Sequence, residues 1–312
     1  MKAVILDSNT LGSDIDLSPI SELIDQFDCW GTTDHDEVIT RLEGATIAIT
    51  NKVVIDDEIM GALPDLEMIA VTATGTNNID MESARRRRIT VSNVTGYGTQ
   101  SVAQHTLMMM LTLATRLPHY QRDVANHRWE HAPSFCLQGH PIMQLAGKHL
   151  VLAGSGELGQ AVAQLARAFS MKVSFSARPN SPNDHRPALE ALLPEADVVS
   201  LHCPLTPDTH HLIGEEQLRL MKPHALLINC GRGGLIDERM ALEALREQRL
   251  GGLGVDVLPV EPPREGHELI DALARETLNL VVTPHNAWIS PEARQNIVAL
   301  TADNIRYFLS NR

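Results

Sequence analysis

Three stretches in the second half of the chain set reactive side chains just past apolar runs: Asn229-Cys230-Gly231-Arg232-Gly233-Gly234, Gly254-Val255-Asp256-Val257-Leu258-Pro259-Val260-Glu261-Pro262 and Thr283-Pro284-His285-Asn286-Ala287-Trp288. Glycines flank Arg232, so its backbone can come close to a bound molecule, and its planar guanidinium can grip a carboxylate while polarising a neighbouring carbonyl. His285 can supply the proton that a carbonyl oxygen needs when hydride arrives at carbon. A carboxylate beside it, such as Glu261, would orient the ring and favour its protonated form. Each group alone has an ordinary use: an arginine in a salt bridge, a glutamate capping a turn, a histidine packed in a core. Together they suit the reduction of a 2-keto acid, provided that a hydride source binds nearby.

A site for such a source is legible upstream. Gly154-Ser155-Gly156-Glu157-Leu158-Gly159 follows the strand pattern of His149 to Ala153 and opens the helix pattern ELGQAVAQLARAF. An isolated G-x-G-x-x-G is weak evidence and is often a plain glycine turn, but this one has the strand before it and the helix after it that dinucleotide binding demands. The first glycine permits the tight turn, the second lets backbone approach a pyrophosphate, and the third lets helix and strand pack closely. The helix N-terminus then offers its unpaired N–H groups to the phosphates. An NAD site usually carries an acid at the end of the next strand to hold the ribose 2'-hydroxyl. Here that strand, Lys172 to Ser176, runs into Ala177 and Arg178, so the repulsive carboxylate is missing and a guanidinium stands next to its place. The expected cofactor is therefore NADP(H), with NAD(H) as the alternative if Arg178 only stacks on adenine.

Positioning these groups takes a parallel-sheet scaffold, and the sequence reads as one. Short aliphatic runs at Ala3 to Leu6, Thr46 to Thr50, Met68 to Thr72 and Ile89 to Ser92 alternate with helical patterns. A second series follows at His149 to Ala153, Lys172 to Ser176, Asp197 to Leu201, Ala225 to Asn229, Gly254 to Val257 and Leu280 to Thr283. Between the series, a Met- and Leu-rich helix pattern from Ser101 to Leu117 ends at Pro118. After them, Pro291 to Leu309 reads as a helix capped by Ser290. That last helix has no core of its own and is expected to return to the first domain. The run Arg85 to Arg88 is read as a solvated helix end, where cations suit the dipole.

At 312 residues the chain is long enough for two domains, and its 43% apolar content supports a proper core in each. A formal charge of −13 disfavours phosphate backbones and anionic lipid as partners. Cys29, Cys136, Cys203 and Cys230 are scattered, with no C-x-x-C pair or metal-ligand spacing, which implies reduced thiols, a cytoplasmic protein and no metal. No apolar stretch approaches the roughly 18 residues that span a bilayer.

The ordered set of glycine turn, arginine loop, glutamate loop and histidine loop resembles the D-isomer-specific 2-hydroxyacid dehydrogenase family over nearly the whole chain. That resemblance implies an α/β protein of two doubly wound domains, a Rossmann dinucleotide-binding domain and a flavodoxin-like substrate domain, with a cleft between them. We expect residues 99–285 to form the first and residues 1–98 plus 286–312 the second. It also implies catalytic roles for Arg232, Glu261 and His285. Cofactor contacts would come from Val102, Gly154, Gly156, Glu157, Leu158, Gly159, Arg178, His202, Cys203, Pro204, Thr206, Cys230, Gly231, Asp256 and His285, with Asp256 receiving the nicotinamide amide. The substrate carboxylate would meet backbone amides at Thr74 and Gly75, beside Arg232, His285 and Trp288.

Within the family, Ala73-Thr74-Gly75-Thr76-Asn77-Asn78, Tyr97-Gly98-Thr99 before Ser101-Val102-Ala103-Gln104-His105-Thr106, Phe135-Cys136 and His285-Asn286-Ala287-Trp288 are similar to the glycerate dehydrogenase and hydroxypyruvate reductase branch. The expected reaction is reduction of hydroxypyruvate or glyoxylate. The alternatives are a D-lactate-type or other 2-keto acid reductase, or a dinucleotide-sensing, corepressor-like binding protein. The segment from Glu261 to His285 is a few residues longer than this branch leads one to expect, and that insertion is read as a surface loop. A homodimer is expected, with the helix from Ser101 as a candidate surface or else a core helix.

Overall fold

Strands that are apolar at consecutive positions must be buried on both faces, which in a soluble α/β chain means a parallel sheet with helices on each side. The computed structural model, which describes residues 1–312, contains two such sheets in two units, residues 1–98 with 289–312 and residues 99–288. The first sheet holds β1 (Lys2–Ile5), β2 (Gln26–Cys29), β3 (Ile47–Thr50), β4 (Met68–Val71) and β5 (Thr90–Asn93), in the order β2-β1-β3-β4-β5. All its pairings are parallel. Strand β2 is absent from the sequence reading because QFDC is short, polar and partly exposed at an edge, where burial imposes no apolar run.

Helices α1 (Ser18–Ser21), α2 (Val38–Leu42), α3 (Asp57–Ala62) and α4 (Met81–Arg87) complete the front of this unit. Arg86 and Arg87 at the exposed end of α4 both pair with Asp57, 2.9 and 3.0 Å away.

The second unit opens with α5 (Thr99–Ala114) and α6 (Leu117–Ala125), then runs β6 (His149–Ala153), α7 (Glu157–Ala168), β7 (Lys172–Phe175), α8 (Leu189–Leu192), β8 (Val198–Leu201) and α9 (Glu215–Leu220). It continues through β9 (Leu226–Asn229), α10 (Glu238–Arg246), β10 (Gly252–Val255), α11 (Glu268–Arg275) and β11 (Leu280–Val282). Pro118 does not simply end a helix. Arg116 turns left-handed at φ 54°, and Pro118 then sits in the first turn of α6, where its missing N–H costs nothing.

The sheet order is β11-β10-β9-β8-β6-β7, so the chain reverses direction across the sheet beside β6, with one strand rather than two outside it. Alternation sorts the core in two. Val151, Val199, Leu201 and Leu227 face α10 and α11 residues such as Leu242 and Leu269. Leu150, Leu152, Leu226 and Ile228 face Met109, Leu113, Val162 and Ala166 of α5 and α7.

The terminal helix α12 (Pro291–Ser310) packs on β4, β5 and α1 of the first unit, its N-terminus capped by Ser290 Oγ accepting the Ala293 N–H at 3.2 Å. The chain returns to the first unit after Trp288 rather than after His285, because Asp256 holds the N–H groups of Asn286 and Ala287 to the second. The stretch from Glu261 to His285 contains α11, whose Leu269 and Ala272 are buried.

Candidate active site

The glycine turn meets the physical requirements of a phosphate cradle. Gly154 has φ +112°, and a Cβ there would lie 2.3 Å from the His202 carbonyl oxygen, so only glycine fits. A Cβ on Gly159 would lie 2.1 Å from Gly154 O, which is the close helix-to-turn packing expected of the third glycine. Gly156 faces open space within 4 Å. Helices α3, α4, α10, α11 and α12 each receive a side-chain cap, from Asp56, Asp80, Asp237, His267 and Ser290. Helix α7 begins at Gly156 with none, leaving its first N–H groups available to an anion. These residues therefore fit a dinucleotide pyrophosphate.

Beside the turn lies a cavity of about 510 Å³ whose wall includes the predicted residues Gly154, Gly156, Arg178, His202, Cys203, Pro204 and Thr206. Two charged wall residues, Arg186 and Asp208, are among those that escaped the sequence reading. The Arg186 guanidinium pairs side-on with Asp184, Nε at 2.8 Å from Oδ1 and Nη2 at 2.5 Å from Oδ2, and this holds the Asp184 carboxyl well below the usual range. Asp184 also accepts the Arg178 N–H at 2.8 Å. Its charge is thus used inside the loop, while the buried Nη1 of Arg186 has no partner. The signal available was a second arginine in the loop after β7, but only the fold brings it back to the cavity. Burial pushes the Cys203 thiol up to about 11 and pulls His202 down to about 4, so both are neutral near pH 7.

At the other strand ends the structure brings the sequence-predicted reactive groups onto adjoining loops. Arg232 is exposed after β9, its turn held by Asn229, which donates to Arg232 O at 2.8 Å and accepts the Gly231 N–H at 3.0 Å. A Cβ on Gly233 would strike the Leu258 carbonyl carbon at 2.1 Å, so glycine lets the arginine turn lie directly against the loop that carries Glu261. Glu261 accepts the Leu258 N–H on Oε1 at 2.8 Å and meets His285 Nδ1 with Oε2 at 2.6 Å. A carboxylate can only accept, so Nδ1 carries a proton and Nε2 is the atom left to work on a substrate. His285 itself has φ +51°, an uncommon state for a residue with a side chain, and its N–H is held by Asp256 O at 2.8 Å.

The other predicted residues have partners within the chain or lie exposed at strand ends. Cys230 turns its thiol into the core, 3.8 Å from Met109 Sδ, and burial pushes it up to about 12; only its backbone is near the strand end. Asp256 is 2% exposed and already accepts from Thr283 Oγ1, Asn286 N and Ala287 N, so its visible work is to hold the histidine loop. Leu158 and Val102 pack against the core, and Glu157 accepts from Thr99 Oγ1 at 2.8 Å. Trp288 is half-buried. In the first unit, Thr74 and Gly75 are exposed just past β4, where Asn93 donates to Thr74 O at 2.7 Å and Thr74 donates to Val94 O at 3.1 Å.

A parallel sheet with an uncapped helix at its switch point, a pocket of about 510 Å³ beside it, and an arginine and a carboxylate–histidine pair on neighbouring strand ends defines a dinucleotide-dependent oxidoreductase. Residues 107–287 match the family described as D-isomer specific 2-hydroxyacid dehydrogenase, NAD binding domain. The chain is 41% identical to a glycerate dehydrogenase of Methylorubrum extorquens over 278 residues, 89% of this chain and 87% of that one. It is 33% identical to a hydroxypyruvate reductase of Blautia hydrogenotrophica, covering 99% of this chain and 97% of the other. Among solved structures, it superposes with a TM-score of 0.84 and 28% identity on an acyclic imino acid reductase in complex with NADPH and D-Arg, covering 100% and 98% of the two chains.

The chain belongs to the D-isomer specific 2-hydroxyacid dehydrogenases. It is an oxidoreductase that moves a hydride between a nicotinamide dinucleotide and a short 2-hydroxy or 2-keto acid. No helix is long and apolar enough to cross a membrane.

Proposed function

We propose that this enzyme reduces hydroxypyruvate or glyoxylate to the D-2-hydroxy acid, and that it prefers NADPH. The observation that carries the catalytic reading is the Glu261–His285 contact at 2.6 Å, with the second Glu261 oxygen tied to backbone. In the proposed roles, Arg232 binds the substrate carboxylate and polarises the carbonyl, His285 gives its Nε2 proton to the carbonyl oxygen, and Glu261 stabilises the imidazolium that does so. The bound dinucleotide supplies the hydride. Trp288 lies three residues past the acid. The relatives that act on glycerate and hydroxypyruvate favour these substrates over a larger keto acid.

The cofactor preference rests on the pocket wall: Arg178 is exposed there, and Arg186, although its charge is matched by Asp184, keeps an unpartnered Nη1, while Asp208 accepts from Asn180 Nδ2 at 2.7 Å. The free Arg178 guanidinium and the spare Arg186 donor suit a ribose 2'-phosphate. Initial rates with a panel of short 2-keto acids against NADPH and NADH test both points. The expected outcome is highest kcat/KM for hydroxypyruvate or glyoxylate with NADPH; a clear preference for NADH removes the cofactor reading, and no turnover across the panel removes the substrate reading.

A homodimer and a cytoplasmic location complete the proposal. Helix α5 packs one face on α7, β9 and β10 and leaves Met108 38% exposed on the other. Leu117, Val124, Trp129, Phe135 and Ile142 expose between 46% and 89% of their surfaces along one stretch, and a second copy is the proposed cover. Four unpaired thiols suit a reducing compartment. Sedimentation of the wild-type chain beside Phe135→Asp reads the oligomeric state, the variant being expected to shift toward monomer.

A further inference from the structure

His105 lies on α5, in a segment to which neither the glycine turn nor the acid–base pair assigns a role. Its side chain is 14% exposed, and Nε2 stands 3.0 Å from Thr283 Oγ1. Thr283 Oγ1 is 2.5 Å from Asp256 Oδ1. The polarity of this chain is determined by elementary valence: the carboxylate only accepts, so the threonine hydroxyl spends its one proton on Asp256, and its oxygen must accept from His105. Nε2 of His105 therefore carries a proton. Burial lowers the His105 pKa, which keeps the ring neutral.

Beyond Asp256 the chain reaches the loop that carries the acid. Asp256 Oδ1 and Oδ2 accept the N–H groups of Asn286 and Ala287, each at 3.0 Å, and Asp256 O accepts that of His285 at 2.8 Å. Helix α5 makes a second tie, Ser101 Oγ donating to Ala287 O at 2.6 Å. His285 in the left-handed region persists only where its surroundings over-determine it, and these bonds are what surround it.

We infer that His105 is a positioning residue for the reaction: acting through Thr283 and Asp256, it clamps the 285–287 backbone and so aims the His285 ring. The inference rests on His285 being the proton donor. The test uses the full-length enzyme and the variants His105→Leu, His105→Gln, Thr283→Val and the Leu/Val double variant. Hydrogen exchange of the 283–288 segment reads the clamp without turnover, while kcat, KM and NADPH Kd read its consequence.

The leucine and valine variants are each expected to speed exchange at the Asn286 and Ala287 amides and to lower kcat about tenfold, with KM and Kd changing less than about twofold. The double variant is expected to be no worse than either single one, since His105 acts through Thr283. Glutamine, which keeps an N–H donor, is expected to recover most of kcat. Unchanged amide exchange, additive losses, or a fall in melting temperature with kcat intact would each overturn the inference. Full activity of His285→Ala would instead remove the proton-donor reading, and the exchange data would still show whether the clamp exists.

Discussion

The two sheets of this chain begin alike and differ at one place. Both run outward from a first strand paired on one side with the second and on the other with the third, so each has a switch point beside its first strand. In the first unit that point is closed by the chain itself. Asp7, 6% exposed at the end of β1, accepts the N–H groups of Asn51, Lys52 and Val53 and the hydroxyl of Thr50. In the second unit the corresponding turn after β6 is Gly154 to Gly159, whose one acid, Glu157, accepts from Thr99 Oγ1, and whose helix has no side-chain cap. One topology thus closes on a carboxylate of its own in one case and presents an uncapped helix N-terminus in the other. Topology builds the place; a few residues decide whether it is used.

The sharpest way to break this comparison is Asp7→Ala. It strands the buried Asn51 N–H and the part-buried Lys52 N–H, Val53 N keeping Thr50 Oγ1, at about 1–3 kcal/mol each, so a loss of roughly 2–4 kcal/mol is expected, read as a fall in urea midpoint, with NADPH affinity unchanged where the protein is folded. A variant with normal stability would mean that the carboxylate is not what closes the first switch point.

Gly159→Ala acts on the other side of the comparison. Its Cβ would meet Gly154 O at 2.1 Å, so the helix must shift from the turn. An overpacking cost of about 1–3 kcal/mol, expressed at the cradle, weakens dinucleotide binding roughly 10- to 100-fold by calorimetry. Binding at wild-type strength would show that the helix N-terminus does not hold the pyrophosphate.

Arg178→Gln sharpens the cofactor half of the account. It is expected to lower kcat/KM for NADPH about tenfold while leaving NADH nearly unchanged. Equal losses for both cofactors would assign Arg178 to adenine stacking instead.

The smallest effect concerns Glu238 at the start of α10, whose Oε2 lies 3.0 Å from His267 Nε2 while Oε1 has no partner. Burial first, then the neighbouring carboxylates Glu268, Asp237 and Glu261, push it from 4.5 up to about 7. A carboxyl raised in the folded state holds more protons folded than unfolded between those values, so its contribution to stability is present below about 4.5 and is lost as pH rises through about 7. Glu238→Gln is expected to flatten the decline in melting temperature between pH 5 and 8. A parallel decline in both proteins would mean that Glu238 is not the group responsible.

What was legible in the sequence were features with a local cause. The glycine turn announced itself because strand, turn and helix are consecutive. Arg232, Glu261 and His285 could be read because each follows an apolar run that forms a parallel strand, β9, β10 or β11. Strand β2 was hidden because an exposed edge strand needs no apolar pattern, and α6 because a proline reads equally as a stop or as a first turn. Arg186 and His105 depend on tertiary return: a loop folding back through Asp184, and a helix placed against a loop some 180 positions further along the chain. Asp256 was read as a cofactor contact, yet its carboxylate is largely used on the histidine loop, a demand of backbone geometry that no local pattern encodes.

The central claim is that His285, held by Glu261, is the proton donor in 2-keto acid reduction. The most direct test is NADPH oxidation with hydroxypyruvate by wild type and by His285→Ala, beside calorimetric Kd values for NADPH. The account predicts that kcat falls roughly 10²- to 10⁴-fold in the variant while Kd stays within about twofold. Undiminished kcat with Kd unchanged would contradict it.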